Sequence, residues 1–267
     1  MKIYAIIDDD EKKELAYFIY YEKINECYIE IRDDVDVWDL PFILEHFVRN
    51  GKRTVDPYHT LLWLRQRVVP SDRQNIGMIL KECGLETYDE IALFLIADGR
   101  CAQDSCYIKR IKNQQLPPEI VTRMSHRLVS ATGYGQTDYL ITFADGTVAT
   151  IELSKYCEDF PWIKKMMEYA YNISEAKVAC GGSCISWSEK WKMPYDFLYT
   201  HAQRLPFSEK VLHQFANQSR MTTQEVMTLL KCTRQNVNDL VNRGKLVPID
   251  TAGKNYQFYR KDVEALL

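Results

Sequence analysis

Apolar positions alternate with polar ones at the start of the chain and then settle into helical periods. M-K-I-Y-A-I-I reads as a strand, and C-Y-I-E-I-R (27–32) alternates in the same way. Asp39 and Pro41 precede F-I-L-E-H-F-V-R-N-G, whose apolar spacing predicts a helix ended by Gly51. Residues 58–69 predict another. Ser71 is placed to cap R-Q-N-I-G-M-I-L-K-E-C, which stops at Gly84, and Y-D-E-I-A-L-F-L-I-A-D-G stops at Gly99. The last two read as a helical hairpin. Pro117-Pro118 then interrupts both helix and ladder and suggests a linker.

From 126 to 200 the pattern is mostly that of strands. D-Y-L-I-T-F-A-D-G-T-V-A-T-I-E-L predicts a hairpin with a tight primed turn at Asp145-Gly146. A-K-V-A-C-G-G-S-C-I-S-W predicts a second, turning at Gly181-Gly182, with helices near 160–171 and 208–218. The resulting fold class is α+β and multidomain. Residues 1–115 form an N-terminal α+β block, 116–205 a small two-hairpin α+β domain, and 206–267 a helix plus a C-terminal winged helix-turn-helix.

That last region carries the functional expectation. Thr222 or Thr223 can cap a helix, with Glu225 placed for a capping box on Thr222. Lys231-Cys232-Thr233 is a short turn, and Thr233 can cap R-Q-N-V-N-D-L-V-N-R-G. In that second helix Val237, Leu240 and Val241 recur at i, i+3 and i+4, while Arg234, Gln235, Asn236 and Asn238 fall on the other face. Arginine pairs with guanine edges, and Gln and Asn pair with adenine edges, so these four are the expected base readers. K-L-V-P-I-D, T-A-G-K-N and Y-Q-F-Y-R then predict strand, turn and strand, a wing. Thr223, Thr233, Arg243, Lys245, Lys254, Asn255 and Arg260 are the expected contacts to the DNA backbone. Val263 and Leu266 of K-D-V-E-A-L-L are expected to cover the core.

Composition changes this picture little. Hydrophobic residues make up 46% of the 267 and charged residues 27%, an ordinary globular balance that argues against long disorder. The net charge of −3 hides an asymmetry. Residues 208–267 hold nine basic and six acidic side chains, whereas residues 1–40 hold five and twelve. A basic tail on an acidic body suits nucleic acid. No apolar run of about 18 residues predicts a membrane span, and the N-terminus lacks the apolar stretch of a leader, so a cytoplasmic protein is expected. On that expectation the eight cysteines are reduced thiols. A zinc site from Cys101, Cys106, Cys180 and Cys184 lacks the close pairs that structural zinc prefers. Asp8-Asp9-Asp10 after a strand reads as a solvated turn, and Arg65, Arg67 and Arg73 near Trp63 as partners for the acidic first forty residues. No catalytic residue, metal or cofactor is expected.

The run from T-T-Q-E-V-M through C-T-R-Q-N-V-N-D-L-V-N-R-G-K-L-V-P-I to F-Y-R-K-D-V-E-A-L resembles the excisionase and MerR-type winged helix-turn-helix family. The resemblance implies a recognition helix in the major groove with a wing beside it. No long dimerisation helix follows, so contacts of an expected homodimer fall to the body. D-Y-L-I-T-F-A-D-G, T-I-E-L, C-I-S-W and M-P-Y-D-F-L-Y resemble a family of uncharacterised bacterial domains, domain-of-unknown-function family 2442. That resemblance implies a compact α+β domain, of a kind found beside toxin–antitoxin and mobile-element proteins. The expected activity is specific binding of double-stranded DNA, as a transcriptional regulator of a bacterial or mobile-element operon. The alternative is an antitoxin-like module that neutralises a partner protein.

Overall fold

The computed structural model describes residues 1–168, 176–249 and 256–267. Contacts among them divide the chain into two compact units, one from Met1–Val129 with Glu175–Thr200 and the other from Ser130–Ser174 with His201–Leu267. Mixed helices and sheets occur in both.

The first part of the chain contains β1 (Lys2–Asp8), β2 (Glu14–Tyr21), β3 (Glu26–Ile31), α1 (Phe42–Arg49), β4 (Thr54–Val55) and α2 (Pro57–Arg65). It continues with α3 (Ile76–Glu82), α4 (Glu90–Ile96), β5 (Cys106–Ile111) and α5 (Pro118–Ser125). The five strands make one antiparallel sheet in the order β4-β3-β2-β1-β5. Both faces of this sheet are covered, which is why E-L-A-Y-F-I-Y-Y is almost continuously apolar. Phe18, Ile29, Trp63 and Phe94 belong to the core on one face. Ile3, Ala5, Tyr17, Tyr28 and Ile120 of α5 form the core on the other.

Local signals set the helix ends. Asp56 and Asp89 accept backbone N–H bonds at the starts of α2 and α4. Pro118 is the first residue of α5, where a missing N–H costs nothing, so the double proline opens a helix. Two expectations are corrected. Ser71 caps nothing: successive turns at 70–76 postpone α3 to Ile76, and Asn75 precedes it. The expected hairpin of 71–99 also gives way, since α4 packs through Phe94 on Trp63 of α2 at 5.5 Å between ring centroids, and α3 has no fully buried residue. A third correction concerns the arginines. Arg65 pairs with Glu90 and Arg67 with Asp104, neither of which belongs to the acidic first forty residues. Burial explains Arg67, which lies over the Trp63 ring at 4.1 Å and donates to the Gly99 carbonyl at 3.0 Å.

Next come β6 (Leu128–Gly133), β7 (Asp138–Phe143), β8 (Thr147–Glu152), α6 (Trp162–Glu168), β9 (Lys177–Val178), β10 (Cys184–Ser186) and β11 (Lys192–Pro194). α7 (Tyr195–His201), β12 (Gln203–Ser208) and α8 (Glu209–Gln218) follow. Both expected hairpins form, but they fall in different units. β9 and β10 pair with Ile185 opposite Val178 and join β11 in a small sheet of the first unit. β7 and β8 lie in the second unit's sheet, ordered β12-β8-β7-β6. Their turn is not the primed two-residue type. Thr142 faces Val148, and Gly146 donates to the Phe143 carbonyl at 2.9 Å, so the loop has three residues. Gly146 has φ +84°, whereas Asp145 keeps a negative φ and uses its carboxylate to hold the Thr147 N–H. Of the predicted helix at 160–171, residues 162–168 are helical and 169–171 lie outside the described residues.

Among the described residues no helix is long and apolar enough to cross a membrane. None of their His, Cys, Asp and Glu side chains form a group of three or more placed to hold a metal ion. The Cys180 side chain lies outside them. Asp9 of the acidic run is taken up by Lys12 and Arg100, and Asp8 by the Ser105 hydroxyl.

Candidate nucleic-acid interface

The C-terminal region is built from β13 (Arg220–Thr222), α9 (Thr223–Leu229), α10 (Arg234–Asn242), β14 (Gln257–Tyr259) and α11 (Arg260–Glu264). Its core is Met221, Val226, Val237, Leu246, Phe258 and Val263, with Leu229, Leu240 and Val241 packed around them. The apolar stripes of both helices therefore meet, as their spacing requires.

Caps fix where each helix starts. Thr222 and Glu225 close the predicted capping box: the Thr222 N–H donates to the Glu225 carboxylate at 2.7 Å, and the Glu225 N–H donates to the Thr222 hydroxyl at 3.3 Å. The bond from the Thr222 N–H, and then a second from its hydroxyl to the same carboxylate at 2.9 Å, hold the Glu225 carboxyl below the usual glutamate range. Lys231 takes φ +50° in the turn, and Thr233 caps α10 by accepting the Asn236 N–H at 3.3 Å. After α10 the chain reverses at Gly244, the Lys245 N–H donates to the Leu240 carbonyl at 2.9 Å, and Leu246 enters the core.

The expected base readers share one environment. Arg234, Gln235, Asn236 and Asn238 are all exposed, while Val237 between them is fully buried. Asn236 is partly committed to the cap, because its Oδ1 accepts the Thr233 hydroxyl at 3.2 Å. Asn242 is exposed one turn beyond Asn238 and was missed, although the same helical period points to it.

The expected backbone contacts divide. Arg243 and Lys245 are exposed beyond the end of α10. Thr233 serves the cap. Thr223 is turned inward: it is 7% exposed, and its hydroxyl and N–H both donate to the Tyr256 carbonyl. Arg260 bonds through Nε to the Gln218 carbonyl at 2.8 Å, which ties α11 to the end of α8. Lys254 and Asn255 lie outside the described residues. So does the wing tip they were expected to form. Among the described residues, 245–249 form no strand. The Ile249 N–H donates to the Gln257 carbonyl at 2.7 Å and joins them to β14, whose ladder partner is β13. Leu266, expected in the core, is exposed, whereas Val263 is fully buried, since α11 ends at Glu264, two residues before Leu266.

Residues 220–267 match a family model described as a helix-turn-helix domain. No curated protein and no solved structure matches the chain. The pair of short helices joined by a tight turn, the caps that frame them and the family match agree: residues 220–267 are a helix-turn-helix domain, the kind of module that binds DNA.

Proposed function

We propose that the chain is a sequence-specific regulator of transcription that reads double-stranded DNA with α10. The observation that carries this reading is the division of α10, with Val237 sealed in the core and Arg234, Gln235, Asn236 and Asn238 turned to solvent. Donor- and acceptor-bearing side chains at the exposed N-terminal end of the second helix are what such helices set against base edges. Arg243 and Lys245 supply cations for phosphates beside them. Thr233 and Asn236 chiefly hold the helix start, so Gln235 and Asn238 carry more of the adenine readout.

Enrichment of duplexes from a random pool, followed by gel shifts across a salt series, tests the proposal. A preferred sequence with steep salt dependence is expected. Gln235→Ala and Asn238→Ala should each weaken the preferred site by about 1–3 kcal/mol and relax its sequence at one position. Lys245→Ala should weaken all sequences alike and lower the salt slope by about 1. A pool from which no sequence emerges would overturn the regulator reading, and base-position effects arising from Lys245 would overturn the division of labour.

A further inference from the structure

The first unit carries an exposed aromatic strip that its own core does not explain. Trp38 is 79% exposed and Phe42 82%, while Leu44 and Phe47, on the opposite side of α1, are buried. Phe42, Glu45, His46 and Arg49 stand at i, i+3, i+4 and i+7, and so form one outward stripe. Arg49 is bonded to Glu45, and its guanidinium carbon lies 4.6 Å from the centre of the Trp38 ring, so Trp38 extends the stripe. Tryptophan and arginine dominate the energetic centres of protein interfaces, and the largest apolar patch on a protein surface is often functional.

The stripe is its own complement. In an antiparallel pairing of two α1 helices centred between Glu45 and His46, Phe42 of each copy lies opposite Arg49 of the other. Each Glu45 carboxylate then lies opposite a His46 imidazole, an acceptor against a donor. Each Arg49 guanidinium gains a second aromatic face, Trp38 from its own copy and Phe42 from its partner. Such reciprocity is what a two-fold axis requires. We propose that this strip is a two-fold interface with a second copy of the chain. The interface stands independently of the DNA reading; only its use, to present two reading helices at once, rests on that reading.

Four rings, each worth about 150–250 Å² when buried, supply roughly half of the about 1,200–2,000 Å² of a stable interface, so a micromolar dimer is expected. Sedimentation velocity of the full chain over about 1–200 µM should show a monomer–dimer equilibrium in that range. Trp38→Glu and Phe42→Ala should each leave a monomer throughout. Both side chains are exposed, so thermal melting of the variants, at concentrations below those at which the parent pairs, should stay near the parent value, and a matching melt separates lost pairing from lost folding. A parent chain that is monomeric at the highest concentration, or variants that still pair, would overturn the proposal. Failure of the parent to bind DNA would leave the sedimentation result standing, which keeps the two readings separable.

Discussion

Arg127→Met should cost the first unit about 3–5 kcal/mol, because it strands a buried carboxylate. Glu30 is fully buried, and Arg127 is 4% exposed at the side chain, with Nη2 at 2.5 Å from Glu30 Oε1. The same guanidinium donates to the Gly181 carbonyl at 3.0 Å and lies 3.5 Å from the centre of the Tyr28 ring. Arg123 Nε at 3.3 Å and the Thr54 hydroxyl at 2.9 Å complete the shell around Glu30. Burial pushes the Glu30 carboxyl above the usual range, and Arg127 and then Arg123 pull it back. Without Arg127 the carboxyl rises further. The folded state then holds its proton to a higher pH than the unfolded state does, so stability falls as pH rises above the ordinary glutamate value. Urea melts at several pH values should therefore show the variant close to the parent in acid and furthest from it at neutral pH. Glu30→Leu with Arg127→Met should recover much of the loss, since it removes the stranded carboxylate while Arg123 keeps Asp33 as its partner. Equal losses for the single and the double variant would refute the ion-pair account.

That pair also shows what the sequence could and could not convey. Glu30 sits in C-Y-I-E-I-R as a polar residue in an alternating strand, which by itself reads as solvent-facing. Its partner stands 97 positions away, and no local period announces it. The same holds for residues 176–200, whose strands join the first unit although they read as the continuation of 138–152. A hairpin shows where it turns but not the sheet it will join. The helix-turn-helix domain was legible because its determinants are short-range: Thr222 with Glu225, Thr233 with Asn236, and apolar residues at three- and four-residue spacing. Within it the unread details were again long-range. Thr223 looked free for phosphate until the Tyr256 carbonyl, 33 residues on, claimed its hydroxyl. R-M-T is too short to announce itself as β13, so the ladder that joins β14 to a strand before α9 was not foreseen.

Gly182→Ala should destabilise the first unit well beyond what its backbone angle demands. Gly182 has φ +68°, in the left-handed region that costs an alanine about 1–2 kcal/mol. Gly51, in the same unit, has φ +71°, and a Cβ there would meet nothing within 4 Å. Gly51→Ala therefore measures the angle alone. At Gly182 the added Cβ would lie 2.2 Å from the Leu128 carbonyl oxygen and 2.8 Å from the Leu128 nitrogen. Both are backbone atoms, so no rotamer change relieves the overlap, and the loop between β9 and β10 must move off Leu128. Overpacking of this kind adds about 1–3 kcal/mol. Displacing the loop also disturbs the Gly181 carbonyl that receives Arg127, so the damage should reach the Glu30 pair. Urea melts should place Gly51→Ala about 1–2 kcal/mol below the parent and Gly182→Ala clearly below Gly51→Ala, with hydrogen exchange quickened at Ala179 and Gly182, whose N–H groups hold the loop. Equal losses at the two glycines would mean that the loop yields without cost, and that its closeness to Leu128 does not hold the small sheet in place.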